Sequence, residues 1–392
     1  MLESINIGMS GLMGYSKGLR VIANNTANLN TPGFKGSSIQ FANMFASSGG
    51  VGTGGLAQVG YGLSTTGTTL NFKQGELRQT DNSLDLAVEG QGLFTLKDAA
   101  GLMHYTRAGQ FEFNTDGVLV NRGDGKKVMG RGTDGAVGEI SVAGAGTKEG
   151  KATAIMKFGG NLSSTETDFT LSSLDVVDAV GGKHQLAVKL INTNATLAGS
   201  WTVELMQGAT LVGTGQIVFS GVRPAVANSK VSVTFSPAGV PPLDLTLDFS
   251  SNVTSFGAGN PTTLALASQD GYPPGAMTDA SFDATGTLVM TYANGKTTNG
   301  PKLLLGRFDS LDAVAVSGGN QFEATDSLAW RNGVAGEDAF GSVRSGVVEV
   351  SNVDLSQEFS DLVIMQRGYQ AASQVISTAN EMLQELFAMR GK

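Results

Sequence analysis

Two histidines, His104 and His184, are the chain's whole stock of imidazole, and there is no cysteine. Thiol catalysis, disulfides and thiolate metal sites are therefore excluded. A metal centre or a Ser-His-Asp relay would need further ligands gathered around one histidine. The two fall in separate extended stretches, where a lone histidine reads as an edge or surface residue. Carboxylate pairs such as Asp81 with Asp85, or Asp309 with Asp312, could serve acid–base chemistry on a sugar, but no cluster of aromatic stacking residues accompanies them. Residues 50–55 and 130–135 fit G-x-G-x-x-G. With 55 glycines in the chain, about one such match arises by chance. Neither opens a helical pattern that could offer N–H groups to a phosphate, so both read as turns. The residues point to no enzyme, no cofactor and no metal.

Asn24, Asn25 and Asn28 offer another chemistry. Asparagine is a poor helix former, and three within five positions are unusual near a helix end. They either cap the end of a helix locally or hydrogen-bond to neighbouring chains. The element that positions them is the stretch 1–36. Leu2, Ile5, Met9, Leu12, Ser16, Leu19, Ala23 and Thr26 step by three and four residues, the seam of a helix that packs on other helices. Gly8, Gly11, Gly14 and Gly18 lie inside it, each costing about 1 kcal/mol relative to alanine. A helix so burdened needs partners, and glycine lets them come close. Gly14 and Gly18 match the helix-dimer motif G-x-x-x-G, though Ser10, Ser16, Lys17 and Arg20 make the setting wrong for lipid. Pro32 drives Thr31 out of the helical region and Gly33 follows with positive φ, so the helix stops by Asn30. At the other end Leu362, Met365, Tyr369, Ala372, Ile376, Ala379, Leu383 and Leu386 repeat the pattern. Asp354 is the expected N-cap, with Gln357 as its capping-box partner. The two ends are expected to pair and carry the rest of the chain outward.

These residues carry a resemblance. Asn24-Asn25-Thr26-Ala27-Asn28 followed by Thr31-Pro32-Gly33-Phe34-Lys35 resembles the N-terminal signature of the flagellar rod and hook family of axial proteins. Ser351-Asn352-Val353-Asp354-Leu355-Ser356 and Gln366-Arg367-Gly368-Tyr369-Gln370 resemble its C-terminal signature. Gln269-Asp270-Gly271-Tyr272-Pro273-Pro274-Gly275 is similar to the segment where the hook branch returns from its outer domain. Thr26 departs from the family, which usually has an apolar residue there. The likeness covers roughly 1–140 and 269–392.

It implies a structural subunit of a curved, flexible tube that couples the rod of the flagellar motor to the filament. The terminal helices would line the tube, with β domains outside them. The subunit interface would comprise Leu2, Ile5, Met9, Leu12, Leu19, Asn24, Asn25, Asn28, Pro32, Gly33 and Phe34, with Leu362, Met365, Tyr369, Ile376, Leu383 and Leu386. Implied partners are further copies of the chain in a helical homopolymer, the distal rod protein, the hook–filament junction protein, the hook cap and the export apparatus. The implied location is the hook, outside the cell. The start lacks a basic region and an apolar core, so export without a cleaved signal is expected.

Composition agrees. Charged residues are 15% and the net charge is −8, with no basic patch for nucleic acid. No stretch is long and apolar enough to span a membrane as a helix. At 392 residues there is room for several domains. Residues 37–71 and 346–352 read as connectors, with Phe41, Met44 and Phe45 spaced as a short amphipathic turn and 47–55 glycine-rich. Leu84, Leu86 and Val88 then alternate with polar neighbours, as strands do. Phe113-x-x-x-Gly117-x-Leu119-Val120 recurs as Phe282-x-x-x-Gly286-x-Leu288-Val289, which predicts hairpins of one kind in a split β domain of 72–145 and 272–345. Residues 146–271 are then an inserted β domain. Within it, strands are predicted around 186–191, 201–205, 216–219, 231–235 and 243–249, as an antiparallel barrel or sandwich. Roughly 125 residues can bury a core of their own. The fold class is thus multidomain, with paired coiled-coil-like terminal helices and all-β middle and outer domains. The competing class, a surface carbohydrate-binding β protein with oligomerising ends, would want clustered Trp and Tyr. The insert has only Trp201 and no Tyr, and its size favours the hook branch over the shorter rod proteins.

Overall fold

The structure, a computed structural model, describes residues 2–46, 59–257 and 259–390. The glycine-rich stretch 47–55 and the first G-x-G-x-x-G match lie outside the described residues. The chain divides into two units: Met1–Ala143 with Ala280–Met290 and Thr298–Lys392, and Gly144–Asp279 with Thr291–Thr297.

In the first unit, helix α1 (Leu2–Ala27) and helix α2 (Leu355–Arg390) pair with each other. Asp354 caps α2 as expected, its carboxylate accepting from Ser356 N at 2.8 Å and Gln357 N at 3.3 Å. The box is half made, because the Gln357 amide turns down the helix to Asp361. Strands β1 (Ser37–Ala46) and β2 (Val59–Leu70) form an antiparallel hairpin against α1. This corrects the expected amphipathic turn at Phe41, Met44 and Phe45. A spacing of three then one fits a helical turn, but it equally fits a strand bulged between Asn43 and Phe45, where the irregularity resets which face a side chain takes.

Distant segments interleave in the sheet of this unit. Leu93–Lys97 pairs with Met103–Thr106, and Phe94 also lies opposite Leu305 on the strand that pairs with Trp330–Val334. Beside that sheet, two separate two-stranded ladders pair Ser342–Ser345 with Leu86–Glu89 and Val347–Glu349 with Leu77–Gln79. The repeated pattern makes one kind of turn twice. Gly117 N bonds Asn114 O and Gly286 N bonds Asp283 O, each at 2.9 Å, with both glycines at positive φ. The preceding Asn114 or Asp283 side chain accepts from the backbone across the turn.

The second unit has two five-stranded sheets around one core built on Trp201, Phe158, Phe235, Phe249 and Leu247. The predicted strands are all present. Two pairings differ from an antiparallel scheme: Ile155–Asn161 runs parallel to Leu243–Asp248 and to Val253–Thr254. No tight turn links Ile155–Asn161 to either partner in sequence, so nothing forces these pairings antiparallel. Gly213 and Gly215 sit where valines of Lys230–Phe235 press closest. A β-carbon at Gly215 would stand 2.2 Å from Val231 Cγ1. Gly215→Val is therefore expected to destabilise this unit by about 1–3 kcal/mol through overpacking. Thermal melts followed by Trp201 fluorescence check this, and an unchanged midpoint would refute the overpacking.

Candidate assembly site

Helix α1 meets α2 through its glycines. A β-carbon at Gly8 would lie 2.7 Å from Ile376 Cγ1, one at Gly11 3.2 Å from Ala372 Cβ, and one at Gly18 2.9 Å from Met365 Sδ. At Gly14 the close neighbour is Leu63 of β2, and at Gly368 of α2 it is the Tyr15 ring. The partners run backwards along α2 as α1 advances, so the helices are antiparallel. The glycines found in the sequence thus let partner side chains seat directly against the α1 backbone inside one subunit.

This relocates the seam on α1. The buried stripe is Gly8, Gly11, Gly14, Gly18, Ile22 and Asn25, one residue ahead of the predicted one except at Gly14, which lies two before Ser16. Of the predicted positions, Ile5, Leu12 and Leu19 are half-buried and Met9 is 50% exposed, while the Leu2 side chain lies outside the described residues. On α2, Leu362, Met365, Ile376 and Leu383 are half-buried, Met365 and Ile376 against the α1 glycines, while Tyr369 and Leu386 are more exposed. Large apolar side chains remain open on both helices, including Met13, Phe359, Ile364 and Phe387 at 56–65% exposure.

The asparagines divide. Asn25 is buried and commits its amide within the chain: Nδ2 donates to Ser37 O and Glu358 Oε1, and Oδ1 accepts from Ser37 N. It is not free for a neighbouring chain. Burial pushes the Glu358 carboxyl up, and Asn25 partly offsets this. Asn28 Nδ2 donates to Asn24 O at 2.9 Å, and Thr31 Oγ1 donates to Asn28 Oδ1, which ends α1 locally. Asn24 is exposed.

Pro32, Gly33 and Phe34 lead into a cluster that sequence reasoning missed. Gly33 has φ +69° and its N–H bonds Glu349 O at 2.8 Å. A β-carbon there would strike Ala108 N at 2.4 Å, so only glycine fits. Pro32 O accepts from Asn320, and Phe34, half-buried, has its carbonyl facing Asn352 N. Two residues past Gly33, buried Lys35 donates to Lys73 O and to Glu349 Oε1. Buried Arg107 donates to Val88 O and Gly90 O, and to Glu349 Oε2 at 3.0 Å. Gly75 N completes the ring on Glu349 Oε1. Burial holds the Lys35 amine below its ordinary range despite Glu349, and acts the same way on Arg107. One carboxylate so fastens the exit of α1, the strand before α2 and the sheet. Its only trace in the sequence is a charge lodged in the apolar run Val347-Val348-Glu349-Val350.

The other chemical candidates have structural partners. His184 Nε2 lies 2.8 Å from Asp178 Oδ2, which holds that carboxyl low, and His104 Nε2 lies 3.3 Å from Asp98. Asp85 pairs with Arg122, and Asp309 with Arg331. Residues 132–135 turn a hairpin closed by Gly132 N to Ala136 O. Trp201 is core. Among the described residues no group of three or more acidic or histidine side chains could hold a metal, and no helix is long and apolar enough to cross a membrane.

Three family models match: "Flagella basal body rod protein" over residues 5–35, "Flagellar hook protein FlgE/F/G D1 domain" over 87–153, and "Flagellar basal body rod FlgEFG protein C-terminal" over 344–389. The chain is 30% identical to the flagellar hook protein FlgE of Brucella abortus, with 98% of each covered. It is 29% identical to that of Borreliella burgdorferi over all of both chains. The flagellar hook protein FlgE of Escherichia coli is also 29% identical, with 97% of this chain and 98% of the relative covered. The crystal structure of Helicobacter pylori flagellar hook protein FlgE2 is similar in fold, with a TM-score of 0.54 at 13% identity, covering 70% of this chain and 100% of that one.

Proposed function

Since this chain belongs to the flagellar hook protein family and is a structural subunit of the hook, we propose that its terminal helices drive its assembly into a curved, flexible tube joining rod to filament. The supporting observation is the use of the faces. The intramolecular contact consumes the glycine stripe, while Met9, Met13, Ile364 and Phe387 stay open. Each such side chain contributes roughly 1.5–3 kcal/mol when buried, so covering them with neighbouring copies is a strong drive to polymerise. Ile5, Leu12, Leu19, Leu362, Met365, Ile376 and Leu383, half-buried in one chain, would complete their burial in the polymer. The outer contacts can slide while the helical seam persists, which lets a bent tube turn about its own axis.

The further partners on this reading are the distal rod protein, the junction protein to the filament, the hook cap and the export apparatus. The subunit leaves the cell through that apparatus and catalyses nothing. Electron microscopy of the purified chain after polymerisation should show tubes. Ile364→Asp changes an open position, so the monomer should keep its circular dichroism and melting. Burying that carboxylate in a polymer should raise the critical concentration by at least about tenfold. Normal tubes from this variant at the wild-type concentration would remove α2 from the assembly interface.

A further inference from the structure

Helix α1 has three faces. Gly8, Gly11 and Gly18 turn to α2. Gly14 and Ser10 turn to the hairpin, where Leu63 N donates to Ser10 Oγ at 3.2 Å. The third face is open. Met9, Met13 and Arg20 are exposed on it, and a groove of about 250 Å³ runs beside Leu12, Met13 and Tyr369, with Lys17 and Arg20 as its cations. The apolar part lies toward the start of α1 and the basic part toward its end. Lys17 donates to Thr65 Oγ1 at 2.9 Å, and among the described residues no carboxylate pairs with Lys17 or Arg20. The far end of α2 carries the complementary pattern. Glu381, Glu385 and Met389 follow one another at four-residue steps, so they share one exposed stripe, acidic first and apolar last. That stripe lies on the side of α2 away from Ile376 and Met365, which face α1. Glu381 accepts only from Ser377 Oγ at 3.5 Å, and among the described residues no cation pairs with either glutamate.

We propose that the open face of α1 receives the far end of α2 from a second copy of the chain, with Arg20 and Lys17 pairing Glu381 and Glu385. The proposal deepens the assembly reading and rests on it. Laid antiparallel, the two patterns match at one register: Glu381 beside Arg20, Glu385 beside Lys17, and Met389 beside Met13. Laid parallel, the charges pair only if Met389 passes Arg20 to reach Asn24, which leaves Met9 and Met13 bare. Within one chain α2 is held at another register, with Ile376 at Gly8 and Met365 at Gly18. The two registers differ by about 18 residues, or roughly 27 Å of helix, so one chain cannot make both contacts. The groove and the α2 end are also different surfaces. Each copy therefore offers one and receives one, a heterologous contact that cannot close as a two-fold pair and so propagates.

The test uses the full chain. One variant combines Lys17→Glu with Arg20→Glu, and another combines Glu381→Lys with Glu385→Lys. Each alone should raise the critical concentration for polymerisation by at least about tenfold, because it sets like charges together. All four positions are exposed, so both variants should keep the wild-type melting of the β units, read at Trp330 and Trp201. A mixture of the two variants should polymerise near the wild-type concentration with copies alternating, since every contact then joins opposite charges. Such recovery can arise only between chains. A second readout needs no tubes. The chain has no cysteine, and Met13→Cys with Met389→Cys in one chain should give a ladder of disulfide-linked copies on a denaturing gel, where either change alone stops at dimers. Within one chain Met13 stands level with about residue 370, roughly 28 Å along the axis from 389, too far for an internal link. Normal tubes from both charge variants, or a mixture that fails to recover, overturn the proposal and leave the assembly reading standing. A wild-type chain that forms no tubes overturns the assembly reading. The ladder then decides this contact by itself, and its absence overturns the proposal as well.

Discussion

Glu349→Ala is expected to destabilise the first unit by about 3–5 kcal/mol, because it leaves two buried cations without their anion. Lys35 and Glu349 have side chains wholly removed from solvent, and Arg107 nearly so. Each of the two cations would keep its carbonyl acceptors and lose the only charge that offsets its burial. The two tryptophans allow a clean reading, one in each unit: Trp330 stacks on Tyr105 in the first, and Trp201 lies in the core of the second. Urea unfolding of single-tryptophan variants should show the Trp330 transition shifted and the Trp201 transition in place. Lys35→Met should cost less, since the Arg107–Glu349 pair survives. The double variant should lose less than the sum of the two single losses.

The variant also has a pH signature. Burial already holds the Lys35 amine below its ordinary 10.5, and Glu349 works against that shift. Removing Glu349 lowers the amine further. Across the alkaline range between the folded and unfolded values, the unfolded chain then binds more protons than the folded one. Stability of Glu349→Ala should therefore rise with pH through that window, below 10.5, and more steeply than in the wild type. A Trp330 transition within about 1 kcal/mol of the wild type at neutral pH would mean that the cluster is not needed to fasten the ends.

Trimming the chain to residues 32–353 is expected to abolish polymerisation while leaving both β units folded. This cut keeps Lys35, Glu349 and Asn352, and so keeps the fastening between the chain's two exits. Cutting at 36 would remove Lys35 and confuse loss of assembly with loss of the fold. The helices themselves are expected to stay largely unordered in the free subunit. Four interior glycines weigh about 4 kcal/mol against α1, and helices of this length are marginal alone. The pairing returns little in one chain, because Ile22 is the one large apolar side chain fully buried on α1, and Ala379 the one buried residue of α2 among the described residues. Amide hydrogen exchange measures this directly. Amides of 5–28 and 358–388 should exchange readily in the monomer and become protected in the polymer. Strong protection in the free chain would show that the helix pair stands without neighbours.

Local chemistry in the sequence was enough for the two end helices, the Asp354 cap, the stop before Pro32, the twin turns at Gly117 and Gly286, and the alternating strands of the second unit. Each depends on residues a few positions apart, where spacing and backbone preference act directly. The choice of face on α1 needed the tertiary structure. Periodicity marks where large apolar residues lie, but the closest contact went to the glycine stripe, where partner side chains can seat against the backbone. On the apolar face beside it Ile5, Leu12 and Leu19 are half-buried and Met9 stays open. The fastening of Lys35 and Arg107 to Glu349 was likewise beyond local reading, because its partners are 314 and 242 residues apart. The same holds for Asn25 with Glu358, at a separation of 333. Charge and amide pairing depend on distance in space. Only the tertiary fold brings these groups together, out of water, where their pairing governs stability.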